Sequence, residues 1–142
     1  MIQGKRFEQR TYRSISLAMA VVFVVVGLFF LFYAGQVLHL FNTLALQLGL
    51  PQSSEEATGF YLILAVAYMY VVTLLAFLMY RHPENSLPPF LLINAKAASA
   101  MLSALFFIFH QRYLIYIVNA VVDGSIALAV ARLREERRIN SR

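Results

Sequence analysis

Apolar positions in this chain come in long unbroken blocks rather than in alternation, and short clusters of charge separate the blocks. Between Arg13 and Glu55 lie 41 residues without Lys, Arg, Asp or Glu, and the stretch from Ser14 to Tyr33 reads SISLAMAVVFVVVGLFFLFY. About 18 such residues in a row are enough to cross a hydrocarbon core of about 30 Å, which predicts a first transmembrane helix over about residues 14–35. A second charge-free run predicts a span over 57–80, and Ser53 with Glu56 just ahead of it fits a capping box. The third span, about 90–109, follows Pro88-Pro89, a pair suited to a first helical turn. It holds one charge, Lys96, and the fourth, about 113–131, again holds one, Asp123. Only His110, Gln111 and Arg112 lie between these two, so they are expected to form a tight antiparallel hairpin.

Two other architectures fail on the same pattern. Barrel strands would alternate apolar and polar residues, and VVFVVVGLFFLF does not. A soluble helical bundle would keep each helix apolar on one stripe only, whereas these blocks are apolar on every face. The expected fold is therefore an all-α integral membrane domain, a four-transmembrane-helix bundle formed by residues 1–142 as one unit. The first span is too long for the apolar core of a signal peptide and has no clean A-x-A site after it, so a retained anchor is expected.

Residues 36–50 read differently. Gln36, His39, Thr43 and Gln47 recur at helical spacing opposite Leu40, Phe41, Leu44 and Leu48. With no cationic residue, the segment has nothing to attract anionic headgroups. It is expected either to lie as an interfacial helix on the outer side or to extend span one and pack on a partner. Gly49 and Pro51 end it.

Composition agrees with the pattern: 61% of the 142 residues are hydrophobic and 13% charged, against about 25% charged in an ordinary soluble domain. Cysteine is absent, which removes disulfides, cysteine-ligated metals and thiol chemistry. The formal charge of +5 would hint at nucleic acid if it were clustered on a soluble face, but its distribution says otherwise. The basic tails 1–13 and 132–142 and Arg81 carry ten Lys and Arg residues on one side of a four-span chain, and Arg112 stands alone on the other. By the positive-inside rule both termini face the cytoplasm, and a bacterial or archaeal cytoplasmic membrane is the expected location. Tyr33, Tyr61, Tyr80 and Tyr113 fall at span ends, where an aromatic belt would sit.

Lys96 and Asp123 are the sharpest chemical feature. A charge near the middle of a span costs about 2.5–3.5 kcal/mol on the insertion scale. Counting from the cytoplasmic helix ends at 1.5 Å per residue puts the two roughly 9 and 12 Å deep, so neighbouring antiparallel helices carry opposite charges at nearly one level. An intramembrane ion pair is expected if both face the seam. Ser99 and Ser103 share a face with Lys96, and Tyr116 and Asn119 share one with Asp123, forming a supporting polar stripe. Small residues around them, Ala95, Ala98, Ala100, Ala104, Ala120 and Gly124, let the helices approach closely. The pair reads either as a structural clasp fixing helix register or as a proton or substrate relay. Lys96 is also shallow enough to snorkel toward the cytoplasmic interface. Asp123 is not, which makes it the best single candidate for a functional residue.

The remaining candidates are weaker. His39 and His110 lie near the outer ends of their helices at similar depth, where haem ligation or quinone contact is conceivable but an interfacial polar role is commoner. Of Tyr68, Tyr70 and Thr73 in span two, at least one hydroxyl is expected to face the bundle. No P-loop, H-E-x-x-H, G-x-S-x-G or acidic metal cluster is present in the sequence. These features favour a non-enzymatic structural or accessory subunit, partnered by lipid and by other membrane chains or its own copies, and not by nucleic acid. The alternatives are an oligomeric ion- or proton-coupled transporter or channel using Asp123 and Lys96, and a quinone- or haem-associated redox subunit.

Overall fold

In a computed structural model of the chain, the backbone is described for residues 2–54 and 58–140 and side chains for 9–54 and 61–137. Among the described residues every regular element is an α-helix: α1 (Ile2–Gln47), α2 (Thr58–Arg81), α3 (Leu87–Phe109) and α4 (Leu114–Asn140). All four contain stretches long and apolar enough to cross a membrane, which points to a membrane protein.

Helix α1 differs from the sequence expectation at its start and takes one of the two expected forms at its other end. The basic segment before Ser14 is helical rather than a separate tail, because its charges sit singly among helix-tolerant residues with no Gly or Pro between positions 5 and 13. At the other end the amphipathic segment is an extension of α1, reached through a kink where Tyr33 leaves helical geometry (φ −128°, ψ 25°). At 1.5 Å per residue, the 46 residues of α1 run about 69 Å, well beyond the 40–45 Å of a whole bilayer with its headgroups.

The extension ends in a Schellman turn. Gly49 adopts φ +67°, the Gly49 N–H donates to the Leu46 carbonyl (3.1 Å) and the Leu50 N–H to the Ala45 carbonyl (2.9 Å). Asn42 then staples the following loop back onto the helix. Its Nδ2 donates to the Ser53 carbonyl (3.1 Å) and its Oδ1 accepts from the Ser53 N–H (2.8 Å). Ser53 is thus engaged through its backbone, while Glu56, the other half of the expected capping box, lies outside the described residues, as does residue 57 of the second span. The inward face of the extension is Asn42 and Ala45, and Leu40, Leu44 and Leu48 point outward at 58%, 41% and 65% exposure.

Helix α3 starts three residues earlier than the composition suggested, with Pro88 and Pro89 buried in its first turn and the Leu87 N–H donating to Asn85 Oδ1 (2.9 Å). Both prolines sit where helix N–H groups have no partner to lose. The α3–α4 connection is the expected short hairpin, closed by His110 and Gln111 N–H groups donating to the Phe106 carbonyl (3.0 and 3.1 Å). RLREERR continues α4 as helix.

The helices are arranged as a ring in chain order. α1 packs closely on α2 and α3 on α4; α2 meets α3 less extensively, and the α1–α4 seam has the least contact. Buried residues of α1 recur at three- and four-residue steps, through Tyr12, Ser16, Ala20, Phe23 and Gly27. The core they join holds Val72, Ala76 and Met79 of α2, Leu92 of α3 and Val130 of α4. At the end nearest the termini, the Arg137 guanidinium lies 4.6 Å over the Tyr12 ring and that of Arg134 lies 5.3 Å over the Phe90 ring, so α4 reaches both α1 and α3.

Candidate functional site

The antiparallel α3–α4 hairpin brings Lys96 and Asp123 together. Lys96 Nζ donates to Asp123 Oδ1 at 2.7 Å, and each residue is only 3% exposed. The ammonium does not snorkel toward an interface; it turns into the middle of the bundle. There it stands 5.1 Å from the centroid of the Phe23 ring on α1 and 5.0 Å from that of Tyr68 on α2. One cation on α3 therefore engages all three other helices. Ring faces carry negative quadrupole density, and a desolvated cation–π contact contributes about 2 kcal/mol, so the two aromatics replace part of the hydration that the ammonium gives up.

Closer to the hairpin turn the seam carries a second polar knot. Asn119 Nδ2 donates to Ser99 Oγ (3.1 Å) and to Ser103 Oγ (2.8 Å). Gly124 faces Ala100 without a tight approach, since a Cβ there would stand 3.7 Å from the Ala100 Cβ, an ordinary contact. Tyr116 stands apart from this knot: its ring packs edge-on against Phe106 (5.8 Å between centroids) and tilted on Tyr113 (5.6 Å). Tyr68 is the hydroxyl that faces inward, donating to the Ala95 carbonyl across the α2–α3 interface (3.0 Å). Tyr70 is 69% exposed, and Thr73 Oγ1 donates within its own helix to the Met69 carbonyl (2.7 Å).

Phe23 and Tyr68 are the site residues that sequence reasoning missed as partners of the lysine. For Tyr68 there was a signal, a hydroxyl in mid-span. For Phe23 there was none, because nothing distinguishes it from the other phenylalanines in an apolar run.

Two cavities adjoin the site. One, of about 370 Å³, lies along the α1–α4 seam between Val26 and Phe29 on one side and Val122 and Ile126 on the other, and it reaches Lys96 and Asp123. The second, of about 350 Å³, shares Phe30, Val37 and Ile115 with the first and opens toward Tyr61 and Tyr113 at the hairpin-turn end. His39 and His110 line neither cavity and are both exposed, with His110 edge-on against Phe106 (5.6 Å). Among the described residues no group of three or more His, Asp or Glu side chains is placed to hold a metal ion.

The arrangement defines a class by its form: an all-helical protein with four helices of membrane-crossing length and a charged pair closed inside them. Comparison with protein-family models, curated proteins and solved structures found no match for the chain.

Proposed function

We propose that this chain is a non-enzymatic integral membrane subunit whose four helices cross the bilayer as one bundle and whose outer surface packs against other membrane chains or further copies of itself. The observation that carries this reading is the leucine edge of the α1 extension. Leu40, Leu44 and Leu48 face away from the bundle on a segment that the Asn42–Ser53 staple holds in place. An α1 of about 69 Å overshoots the bilayer, so that edge sits at or beyond the headgroups, where bare leucine needs a cover. The basic residues at the ends of α1, α2 and α4 support an orientation with both termini in the cytoplasm, and in this reading the leucine edge lies on the outer side of a bacterial or archaeal cytoplasmic membrane.

The clasp reading of Lys96 and Asp123 belongs to the same proposal. Small hairpin-seam residues and two polar knots tie α3 to α4 and leave the exterior apolar, as suits a subunit embedded among lipids and helices. Purification in a mild detergent tests the assembly. The wild-type chain is expected to run as an oligomer or with a copurifying membrane partner, and Leu40→Asn/Leu44→Asn is expected to run as a monomer. A wild-type monomer with no copurifying chain counts against the proposal.

A second reading, an oligomeric ion- or proton-coupled transporter, is favoured by one observation, the cavity that reaches Lys96 and Asp123. A relay must cycle Asp123 through a protonated state, whereas a clasp keeps it ionised. That difference decides between them.

A further inference from the structure

We infer that the α1–α4 cleft is a binding site for an uncharged amphiphile: one acyl or prenyl chain bearing a neutral carbonyl or hydroxyl head. This goes beyond the subunit reading and does not depend on it. At about 370 Å³ the cleft has the size of a ligand pocket, and it has the composition of one, an apolar wall with a few convergent polar groups at one end.

The wall selects the chain. Val26, Phe29, Val122 and Ile126 offer only hydrocarbon, and both Phe29 and Val122 are about half exposed, so the cleft opens sideways along the seam with the least helix contact. In a bilayer that opening faces acyl chains, which makes lateral entry of a lipid the direct route.

The polar end selects the head. Lys96 and Asp123 already neutralise one another at 2.7 Å. Adding a phosphate, carboxylate or ammonium would introduce a net charge into a low-dielectric site with no counter-ion, a change that buried ion pairs do not tolerate cheaply. A neutral oxygen adds no charge. An ammonium has three N–H donors; among the described residues Lys96 gives one hydrogen bond, to Asp123, and otherwise meets only the ring faces of Phe23 and Tyr68 at 5.1 and 5.0 Å, weaker partners than an oxygen. A carbonyl or hydroxyl oxygen at the end of the cleft can take another. The adjoining cavity that shares Phe30 and Val37 lets a longer chain continue toward the hairpin-turn end.

Photolabelling of the full chain in phosphatidylcholine nanodiscs tests this. The probes are a monoacylglycerol with a diazirine in its acyl chain, the free fatty acid with the same diazirine chain, and the corresponding lysophosphatidic acid. The monoacylglycerol is expected to label the Val22–Phe30 and Val118–Ile126 regions saturably, with competition by unlabelled monoacylglycerol, and the two anionic probes are not. Val122→Phe narrows the cleft from a half-exposed position next to Asp123 in the chain. It is expected to cut cleft labelling about fivefold, by taking space that the acyl chain would occupy, with the elution volume of the protein unchanged. Labelling that is non-saturable, spread over the lipid faces of all four helices, shared by the anionic probes, or indifferent to Val122→Phe overturns the proposal. If Val122→Phe alters elution, Ile126→Phe replaces it under the same criteria.

Discussion

Lys96→Met and Asp123→Leu are each expected to destabilise the bundle by about 3–5 kcal/mol, and the double substitution by far less than their sum. Either single change strands a charge among apolar helices, and most of the cost is that of the partner left behind. The pair is 3% exposed on both sides, so water cannot take over from the missing partner. Lys96→Met is expected to be the more severe of the two. It leaves Asp123 without its cation and removes the contacts with the Phe23 and Tyr68 rings, whereas Asp123→Leu leaves the ammonium on both ring faces. The double variant removes both charges and keeps the hydrocarbon stem of Lys96 as methionine. Unfolding in mixed micelles with increasing SDS measures all four proteins. Strictly additive losses would show that the two side chains are not coupled.

Gly27→Leu is expected to cost about 1–3 kcal/mol and Gly27→Ala close to nothing. A Cβ at position 27 would stand 3.2 Å from the Met69 Cβ, tighter than an ordinary contact but within reach of a few tenths of an ångström of give. In Gly27→Ala that small shift is offset by the higher helix propensity of alanine, worth about 1 kcal/mol. Leucine has no such margin and must push α1 away from α2, the helix on which α1 packs most closely. The same unfolding titration reads both variants. If Gly27→Leu is as stable as wild type, the α1–α2 interface is looser than the packing at Gly27 and Met69 implies.

How much of this was legible in the sequence depends on contrast. The helices were, because charge-free apolar runs of that length have few other structures open to them. The ion pair was, because two isolated charges in an apolar field can be placed by counting residues from the helix ends. Asn119 with Ser99 and Ser103 followed from helical spacing on the same two faces. Phe23 was not legible, since a chain with twelve Phe and eight Tyr offers no contrast by which to single one out.

The leucine face of residues 36–50 shows a different limit. Periodicity identified the face but not its direction, and the structure turns Asn42 and Ala45 inward instead. In a single soluble chain an apolar face turns toward that chain's own core; a helix in a membrane assembly can also bury such a face against another chain, and periodicity does not say which. Asn42 pairing with the Ser53 backbone was illegible for a related reason. A loop partner eleven residues away leaves no periodic trace.

Asp123 is the sole aspartate in the chain, which makes the central claim, a closed clasp, directly measurable. Cell-free synthesis with carboxyl-13C aspartate places one labelled carboxyl in the protein, and its carbon resonance in nanodiscs at neutral pH reports whether that carboxyl is ionised. A closed Lys96–Asp123 pair predicts a carboxylate resonance in the wild type that changes when Lys96 is replaced by Met. A protonated carboxyl in the wild type, or a resonance indifferent to Lys96→Met, would contradict it.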